Sequence, residues 1–374
     1  MNKDILQKTT ELRHELHAHP ELSYQEVWTK QRLMDFLKEN TKLELVDKGK
    51  WFYACYRGAD GRDPLPTGFR ADFDALPMED EIDAPWKSRI PGCGHKCGHD
   101  GHSATLCALA MRLEEEKPAR DVYLVFQHAE ETGQGACECG DFVRETGIRE
   151  IYSCHNVAGM DLPYGTVVTR PEGCNCASMG MSITMTGTPT HASLPENGKN
   201  PSLAICGTAQ EIMKIADQRR FGKLVMATIC EIAVGEHAFG IAASKGCIGV
   251  TLRAEQDKDM YRIRDEIEAY AAKRAAEDGL ACAFSYEDIF PDTTNTPQQA
   301  AKVIAAAQSL GLPALYAPEI TRGSEDFGWF LKDCPGAEFV VSSGDGPSLH
   351  TAGFDFDDRL IETISDVYLA ILRQ

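Results

Sequence analysis

The sequence predicts an α/β protein with two domains, and three observations support this prediction. The chain has 374 residues, which exceeds the roughly 250–300 residues that one hydrophobic core usually serves. Strand and helix patterns alternate over residues 43–157, as is typical of a parallel sheet covered by helices. From about Ala177 the order becomes β-α-β-β-α-β, that of a split βαβ sandwich. We therefore predict a discontinuous first domain (residues 1–176 and 290–374) with a mainly parallel sheet, and a smaller domain inserted at residues 177–289.

The first domain begins with two helix patterns within residues 4–39, which Pro20 separates. The elements predicted after them are strands at Leu43–Val46, Trp51–Arg57 and Gly68–Asp72, a helix at Ser103–Glu116, and strands at Asp121–Phe126 and Ile151–Cys154. Polar side chains follow three of these strands, namely Asp72, the pair Glu130 and Glu131, and His155. Because parallel sheets bind ligands at the carboxyl ends of their strands, we expect these side chains to share one site.

The inserted domain shows four strand patterns and two helix patterns. The predicted strands are Ser178–Thr186, Leu224–Val234, Gly246–Arg253 and Ala281–Tyr286, and the helices are Pro201–Ala216 and Asp257–Asp278. A cluster of turn residues at Pro291–Pro297 ends this domain. The chain then returns to the first domain with a helix at Gln298–Leu310, a strand at Ala337–Ser342 and a last helix from Asp357.

Charge and composition exclude several classes of partner. The formal net charge is −19, whereas binding to nucleic acid or to an anionic membrane needs a basic surface. No apolar run approaches the roughly 20 residues of a membrane span, and the first residues lack the apolar core of a signal peptide. We therefore expect a cytoplasmic protein in which the fourteen cysteines are reduced thiols.

The segment from Gly94 to His102 contains a thiol, imidazoles and a carboxylate within a few residues. Cys97, His99 and Asp100 are of the types that bind divalent metals, and Gly98 and Gly101 permit tight turns around them. The segment lies between a strand and a helix, where α/β proteins often place their chemistry. The sequence therefore predicts a metal site here.

Four separate strand or loop ends supply candidate metal ligands, which are Cys97, His99, Glu131, His155 and His350. Five ligands exceed the needs of one structural zinc ion and suit two divalent ions that share a bridging ligand. Glu130 is adjacent to Glu131 and is expected to point in a different direction, so it could take a proton from metal-activated water and later protonate the leaving nitrogen.

The motifs resemble those of the M20 metallopeptidase family, in its branch of N-acyl amino acid amidohydrolases. The matching segments are His17-Ala-His-Pro-Glu-Leu, Arg70-Ala-Asp-Phe-Asp-Ala-Leu-Pro77, Cys97-Gly-His-Asp-Gly-His102, Phe126-Gln-His-Ala-Glu-Glu131, Thr190-His-Ala, Gly323-Ser-Glu-Asp-Phe327 and Leu349-His350. The resemblance implies a dinuclear catalytic domain with a ferredoxin-like lid, which in this family often mediates homodimers. It also implies the ligand set given above and Glu130 as the base. By the same resemblance, Asp72 is an acid behind the ligands and His191 stabilises the oxyanion.

Two departures from the family pattern concern the residues around the expected site. His128 stands where the family usually has proline. In the inserted domain, Phe239-Gly240-Ile241-Ala242 replaces the usual Asn-x-Ile-Pro, so an asparagine that commonly contacts the substrate is missing. Arg253, at the end of a predicted strand, is the candidate cation for a substrate carboxylate.

Together these features predict a two-metal enzyme that hydrolyses the amide bond of N-acyl amino acids. A dipeptidase or carboxypeptidase of the same family is the alternative within the class, and a non-catalytic metal- or redox-binding protein is the alternative outside it. The ligand types favour zinc by affinity, whereas availability often selects manganese, cobalt or nickel.

Overall fold

The computed structural model describes residues 1–58 and 65–374. Its helices are α1 (Lys3–Ala18), α2 (Val27–Asn40), α3 (His99–Glu116), α4 (Gly135–Glu138), α5 (Phe142–Thr146), α6 (Ser202–Ile215), α7 (Asp257–Glu277), α8 (Pro297–Ser309), α9 (Gly328–Leu331) and α10 (Arg359–Leu372). Its strands are β1 (Glu44–Asp47), β2 (Phe52–Tyr56), β3 (Thr67–Asp72), β4 (Val122–Gln127), β5 (Glu150–Val157), β6 (Val167–Thr169), β7 (Glu172–Asn175), β8 (Ala177–Thr186), β9 (Thr190–His191), β10 (Val225–Val234), β11 (Ile241–Ala242), β12 (Lys245–Ala254), β13 (Ala281–Phe290), β14 (Thr293–Asn295), β15 (Ala314–Tyr316) and β16 (Gly336–Ser342). Short 3₁₀ helices lie at Glu130–Thr132, Pro195–Asn197 and Gln218–Arg220.

The described residues divide into two compact units. The first unit contains Met1–Cys174, Thr293–Ile320 and Asp326–Gln374, and the second contains Asn175–Asp292 together with Thr321–Glu325. The sequence analysis did not predict that the short segment Thr321–Glu325 belongs with the second unit.

The first unit is organised around an eight-stranded sheet with the order β1-β2-β4-β3-β5-β16-β6-β15. The central strands β4, β3, β5 and β16 are parallel neighbours, whereas β1 with β2, β2 with β4, and β16 with β6 pair antiparallel. The predicted α/β class with a mainly parallel sheet is confirmed.

Burial on both faces explains why the central strand β4 is a nearly continuous apolar run. Every residue of β3 and of β4 is buried. Helix α3 is buried from His99 to Leu113, with α1 and α10 packed beside it. The first turns of α3 lie at the carboxyl end of β3, where Ser103 Oγ donates to the Asp72 carbonyl at 2.6 Å.

The second unit has a four-stranded antiparallel sheet with the order β10-β12-β8-β13. Helices α6 and α7 pack on one face of this sheet. In β12, buried residues alternate with less buried ones, as expected for a sheet covered on one side. The strands of this sheet and its two helices follow one another in the order β-α-β-β-α-β, which the sequence predicts for this region, and the two-residue strands β9 and β11 are additional.

No helix among the described residues is long and apolar enough to cross a membrane. All fourteen cysteines are free thiols.

Candidate metal centre

The start of α3 differs from the prediction. The sequence analysis places a loop before a helix that starts at Ser103, whereas the helix begins at His99. Gly98 precedes it in a left-handed conformation (φ 100°), and a Cβ at this position would lie 2.1 Å from Asn156 Oδ1. A Cβ at Gly101 would lie 2.3 Å from the ring of Phe356. The two glycines therefore permit close packing, and only Gly98 is needed to reverse the backbone.

Strand β5 also extends further than predicted, because it includes His155 and Asn156 and ends at Val157. These two side chains therefore project from the strand and not from a loop after it. Their register is fixed by pairing, with His155 opposite Val340 of β16.

The first group of candidate ligands contains Cys97, His99 and His155. One ligand atom from each lies within 4.8 Å of the others. The Cys97 Sγ atom is 3.2 Å from Nε2 of His155. The Nδ1 atom of His155 bonds to the carbonyl of Asn156 at 2.7 Å, so Nε2 is the nitrogen that is left for a metal.

A second group contains Cys97, Glu131 and His350, again with ligand atoms within 4.8 Å of one another. The His350 Nε2 atom is 3.3 Å from Cys97 Sγ and 3.6 Å from Glu131 Oε1. The two groups share Cys97, so two ions held by them would have this ligand residue in common. The structure brings together all five residues that the sequence analysis selects as ligands.

Unsatisfied polar atoms support the fit of this site to metal ions. The buried Nε2 of His99 and the buried Oε1 of Glu131 have no hydrogen-bond partner among the described residues. Leaving such atoms without a partner is costly, and each lone pair is a suitable metal ligand. The donor set of one thiolate, three imidazoles and one carboxylate suits a borderline divalent ion.

Asp72 lies beside the ligands at the end of β3. Its Oδ1 accepts a hydrogen bond from His102 Nδ1 at 2.6 Å, and its Oδ2 accepts one from Arg70 Nη1 at 2.6 Å. Oδ2 is also 3.9 Å from His99 Nε2. Although burial opposes ionisation, the Arg70 guanidinium and the nearby histidines hold the pKa of Asp72 well below its usual range.

Asp74 is a functional candidate that the sequence analysis missed. The Nδ1 atom of His99 donates to Asp74, at 3.0 Å from its carbonyl and 3.1 Å from its carboxylate. The other carboxylate oxygen accepts from the Glu131 N–H at 3.1 Å and from Ser23 Oγ at 2.7 Å. Asp74 therefore orients two candidate ligands, a role that partners of metal-bound histidine commonly fill. The available signal was its spacing, because Asp72 and Asp74 stand two residues apart at a strand end.

Glu130 lies at the start of the 3₁₀ helix that follows β4 and is 5% exposed. Its Oε2 is 3.8 Å from His99 Nε2, and the Oε1 of Glu131 is 3.8 Å from the same nitrogen. The two neighbouring carboxylates therefore approach one imidazole through separate oxygen atoms, and only Glu131 belongs to the group with Cys97 and His350.

Before any metal binds, burial shifts the pKa of three of the candidate ligands. Burial and the Glu131 carboxylate hold the pKa of the Cys97 thiol well above its ordinary value. Burial raises the pKa of Glu131 to about 7 and lowers the pKa of His155 well below its usual range. The thiol is therefore protonated in the metal-free protein, so binding of a cation to the thiolate must release a proton.

His191 and Arg253 belong to the second unit. His191 is exposed in β9, and its Nδ1 lies 2.7 Å from Ser193 Oγ. Nη1 of Arg253 donates to the Arg322 carbonyl at 2.9 Å and to Ser324 Oγ at 2.8 Å. Nη1 is thus occupied within this unit, whereas Nε and Nη2 have no hydrogen-bond partner among residues 1–58 and 65–374.

The segment that replaces the family's Asn-x-Ile-Pro lies beside His191. Strand β11 pairs antiparallel with β9, and Ile241 stands opposite His191. The Gly240 carbonyl accepts a hydrogen bond from the Ala192 N–H at 3.0 Å. The segment that departs from the family pattern therefore forms part of the immediate surroundings of His191.

Comparison with known proteins identifies the family. The sequence profile of peptidase family M20/M25/M40 matches residues 68–374. An N-acetylcysteine deacetylase of Bacillus subtilis is 28% identical over 367 residues, which cover 96% of this chain and 94% of that protein.

Two solved structures have the same fold. The crystal structure of the Bacillus subtilis YxeP protein, described as a dinuclear metal-binding peptidase of the M20 family, has a TM-score of 0.81 at 25% identity, covering 99% of this chain and 98% of that chain. A structure from methicillin-resistant Staphylococcus aureus has a TM-score of 0.88 at 23% identity, covering 99% and 96% of the two chains. At that identity, the second similarity supports the fold alone.

The chain belongs to the M20/M25/M40 peptidase family, as its motifs predict. It is a metal-dependent amidohydrolase that acts on a small-molecule substrate. The family, the fold and the two ligand groups support divalent metal ions as its cofactors.

Proposed function

We propose that this protein hydrolyses the amide bond of N-acyl amino acids, with Glu130 as the general base. The observation that carries this proposal is the pair of ligand groups that share Cys97, with the Glu130 carboxyl group beside them. The 28% identity to an N-acetylcysteine deacetylase supports a small acyl group such as acetyl.

In this proposal, two ions are held by Cys97, His99, Glu131, His155 and His350. When bound, two divalent cations polarise the amide carbonyl and make the attacking water more acidic. Zinc and manganese are the first metals to test, with cobalt and nickel next.

Glu130 accepts the proton of the attacking water and transfers it to the leaving nitrogen. A general base must lie within hydrogen-bond reach of that water, and the position of Glu130 Oε2, 3.8 Å from Nε2 of the candidate ligand His99, supports this role. Such a base contributes roughly 10²–10⁴-fold to the rate. Asp72 acts indirectly, because it holds the imidazole of His102 and the surroundings of His99 in place.

The second unit supplies the remaining roles. His191 donates to the developing oxyanion, an interaction worth roughly 10²–10³-fold in turnover. Arg253 binds the substrate carboxylate through the guanidinium nitrogens that it does not use for Arg322 and Ser324. These roles require the second unit to act as a lid over bound substrate. A homodimer formed through this unit and a cytoplasmic location stay predictions.

The test is a hydrolysis panel on protein reconstituted separately with zinc, manganese, cobalt or nickel. The panel contains N-acetyl amino acids (N-acetylcysteine among them), the corresponding N-acetyl amino acid amides, and unblocked dipeptides. We expect turnover of N-acetyl amino acids, and we expect Glu130→Gln to bind metal normally while losing at least about 10²-fold in kcat.

Two results would contradict the proposal. Hydrolysis of unblocked dipeptides without hydrolysis of N-acetyl amino acids would assign the chain to the peptidases of its family. Full metal content without turnover of any substrate would indicate a binding protein.

A further inference from the structure

Ala129, the residue before Glu130, has an unusual backbone conformation. Its φ and ψ are 50° and 42°, in the left-handed region, and its side chain is completely buried. This region is unfavourable for a residue with a Cβ, because the Cβ approaches the following carbonyl oxygen. The conformation reverses the chain between the end of β4 and the 3₁₀ helix, so it determines where Glu130 points. Contacts with the surrounding structure must therefore hold Ala129 in this conformation.

Glu26 is the side chain that holds this backbone. Its Oε1 accepts the hydrogen bond of the Ala129 N–H at 2.8 Å. Glu26 immediately precedes α2, is 6% exposed and lies 103 residues away in the chain. On the other side, the Ala129 carbonyl accepts from Gly135 N–H at 3.2 Å and from Thr132 Oγ1 at 3.1 Å.

A second carboxyl group acts on the same turn. Asp74 accepts the hydrogen bond of the Glu131 N–H at 3.1 Å. The N–H groups of Ala129 and Glu131, the residues on either side of Glu130, are therefore both held by buried carboxyl groups that come from other parts of the chain. Glu26 holds the peptide plane between His128 and Ala129, and Asp74 holds the plane between Glu130 and Glu131.

We propose that Glu26 is a positioning residue for Glu130, and that it acts by holding Ala129 in the left-handed conformation. This inference rests on the proposed function, because it takes Glu130 to be the general base. Glu26 contributes the length and the acceptor oxygen of its side chain, and its negative charge is not required. Burial and the neighbouring Asp74 raise the pKa of Glu26 to about 8. In the metal-free protein its carboxyl group is thus largely neutral at pH 7 and resembles a carboxamide.

Two conservative variants of Glu26 separate the contribution of side-chain length from that of charge. Glu26→Gln keeps the length and an acceptor oxygen but has no charge. Glu26→Asp keeps an ionisable carboxyl group but withdraws the acceptor by roughly one bond length of 1.5 Å, which is beyond hydrogen-bond distance. Glu39 is exposed in α2, the helix that Glu26 precedes, so Glu39→Gln and Glu39→Asp are matched controls.

The first readout needs no substrate. Hydrogen–deuterium exchange of a peptide covering residues 127–131 reports whether the Ala129 N–H is still bonded. We expect exchange at least about 10-fold faster in Glu26→Asp, and within about 2-fold of the parent protein in Glu26→Gln, because only the former loses its acceptor.

The second readout separates kcat from KM on the fastest substrate of the hydrolysis panel. Glu26→Asp should lose at least about 10-fold in kcat with KM within about 2-fold, since a misplaced base affects the transition state more than binding. Its metal content should remain that of the parent protein. Glu26→Gln should retain kcat within about 3-fold.

Adding Ala129→Gly to Glu26→Asp tests the backbone argument directly. Glycine adopts the left-handed conformation without a steric penalty, so the double variant should recover at least about 3-fold in kcat.

Three results would overturn the inference. The first is equal hydrogen–deuterium exchange of residues 127–131 in the two Glu26 variants, and the second is a larger loss of kcat in Glu26→Gln than in Glu26→Asp. The third is a double variant whose kcat does not rise above that of Glu26→Asp. Failure of the proposed function is distinguishable from these, because it would appear as an active Glu130→Gln protein whatever the Glu26 variants do. Exchange data also remain decisive if no substrate is found.

Discussion

The pH dependence of stability offers a quantitative test of how deeply Glu26 is buried. Its pKa rises from 4.5 to about 8, mainly because burial penalises the charged carboxylate and secondly because Asp74 is nearby. Each pKa unit corresponds to about 1.4 kcal/mol. Ionising Glu26 in the folded, metal-free protein therefore costs up to about 5 kcal/mol, from the difference of about 3.5 units between the two values.

The sign of the effect follows from proton binding. Between pH 4.5 and about pH 8 the folded protein retains the Glu26 proton, whereas the unfolded chain has released it. The unfolded state then binds fewer protons, so the free energy of unfolding falls as the pH rises through this range and levels off above it. From pH 6 to pH 8, the expected loss is about 2–3 kcal/mol.

Glu26→Gln removes this loss, because a carboxamide does not titrate. The measurement is Tm of chelator-treated parent and variant proteins at pH 6 and pH 8, with Glu39→Gln as the exposed control. At about 2 °C per kcal/mol, the variant should gain about 5 °C on the parent between the two pH values. Other groups titrate equally in both proteins. The same Tm difference between variant and parent at both pH values would refute the reasoning.

Further predictions concern the metal centre and the second unit. Cys97→Ser should lose metal and activity together, because a hydroxyl stays protonated where a thiol ionises; plasma mass spectrometry and a kinetic assay check this. Glu131→Gln should also lose metal, in contrast to Glu130→Gln, and equal metal content in the two would contradict their assignments. His191→Ala should lower kcat by about 10²–10³-fold with unchanged metal content. Arg253→Ala should raise KM for N-acyl amino acids far more than for the corresponding amides, and an equal increase for both would remove Arg253 from the site.

Much of the fold could be predicted from local pattern. The buried strand β4 contains a continuous apolar run from Val122 to Phe126, and such a run between helix patterns indicates a parallel sheet. The strands that the sequence analysis missed in the first unit include β6, β14 and β15, each of three residues. Segments this short carry no detectable periodicity. The antiparallel pairs β2–β4 and β16–β6 also escaped prediction, because they join strands that are distant in the chain.

The candidate ligands could be selected because ligand chemistry is carried by residue type and by position at strand ends. The start of α3 at His99 could not be predicted, because the local sequence around Gly98 and Gly101 is typical of a turn. Their real constraint is the close approach of Asn156 and Phe356, which are remote in sequence.

The supporting carboxyl groups were missed for a related reason. Glu26 and Asp74 act through hydrogen bonds to the backbone of residues 129–131, and an acceptor for a remote N–H has no sequence signature. Ala129 was equally inconspicuous, since alanine gives no indication of a left-handed backbone.

Anomalous diffraction from crystals of the metal-reconstituted protein tests the central claim most directly. The account predicts two peaks per chain about 3.5–4 Å apart, as in two-metal hydrolases. The Cys97 sulfur should lie within bonding distance of both peaks, His99 and His155 beside one, and Glu131 and His350 beside the other. A single peak in a fully active protein, or two peaks that do not share Cys97, would contradict it.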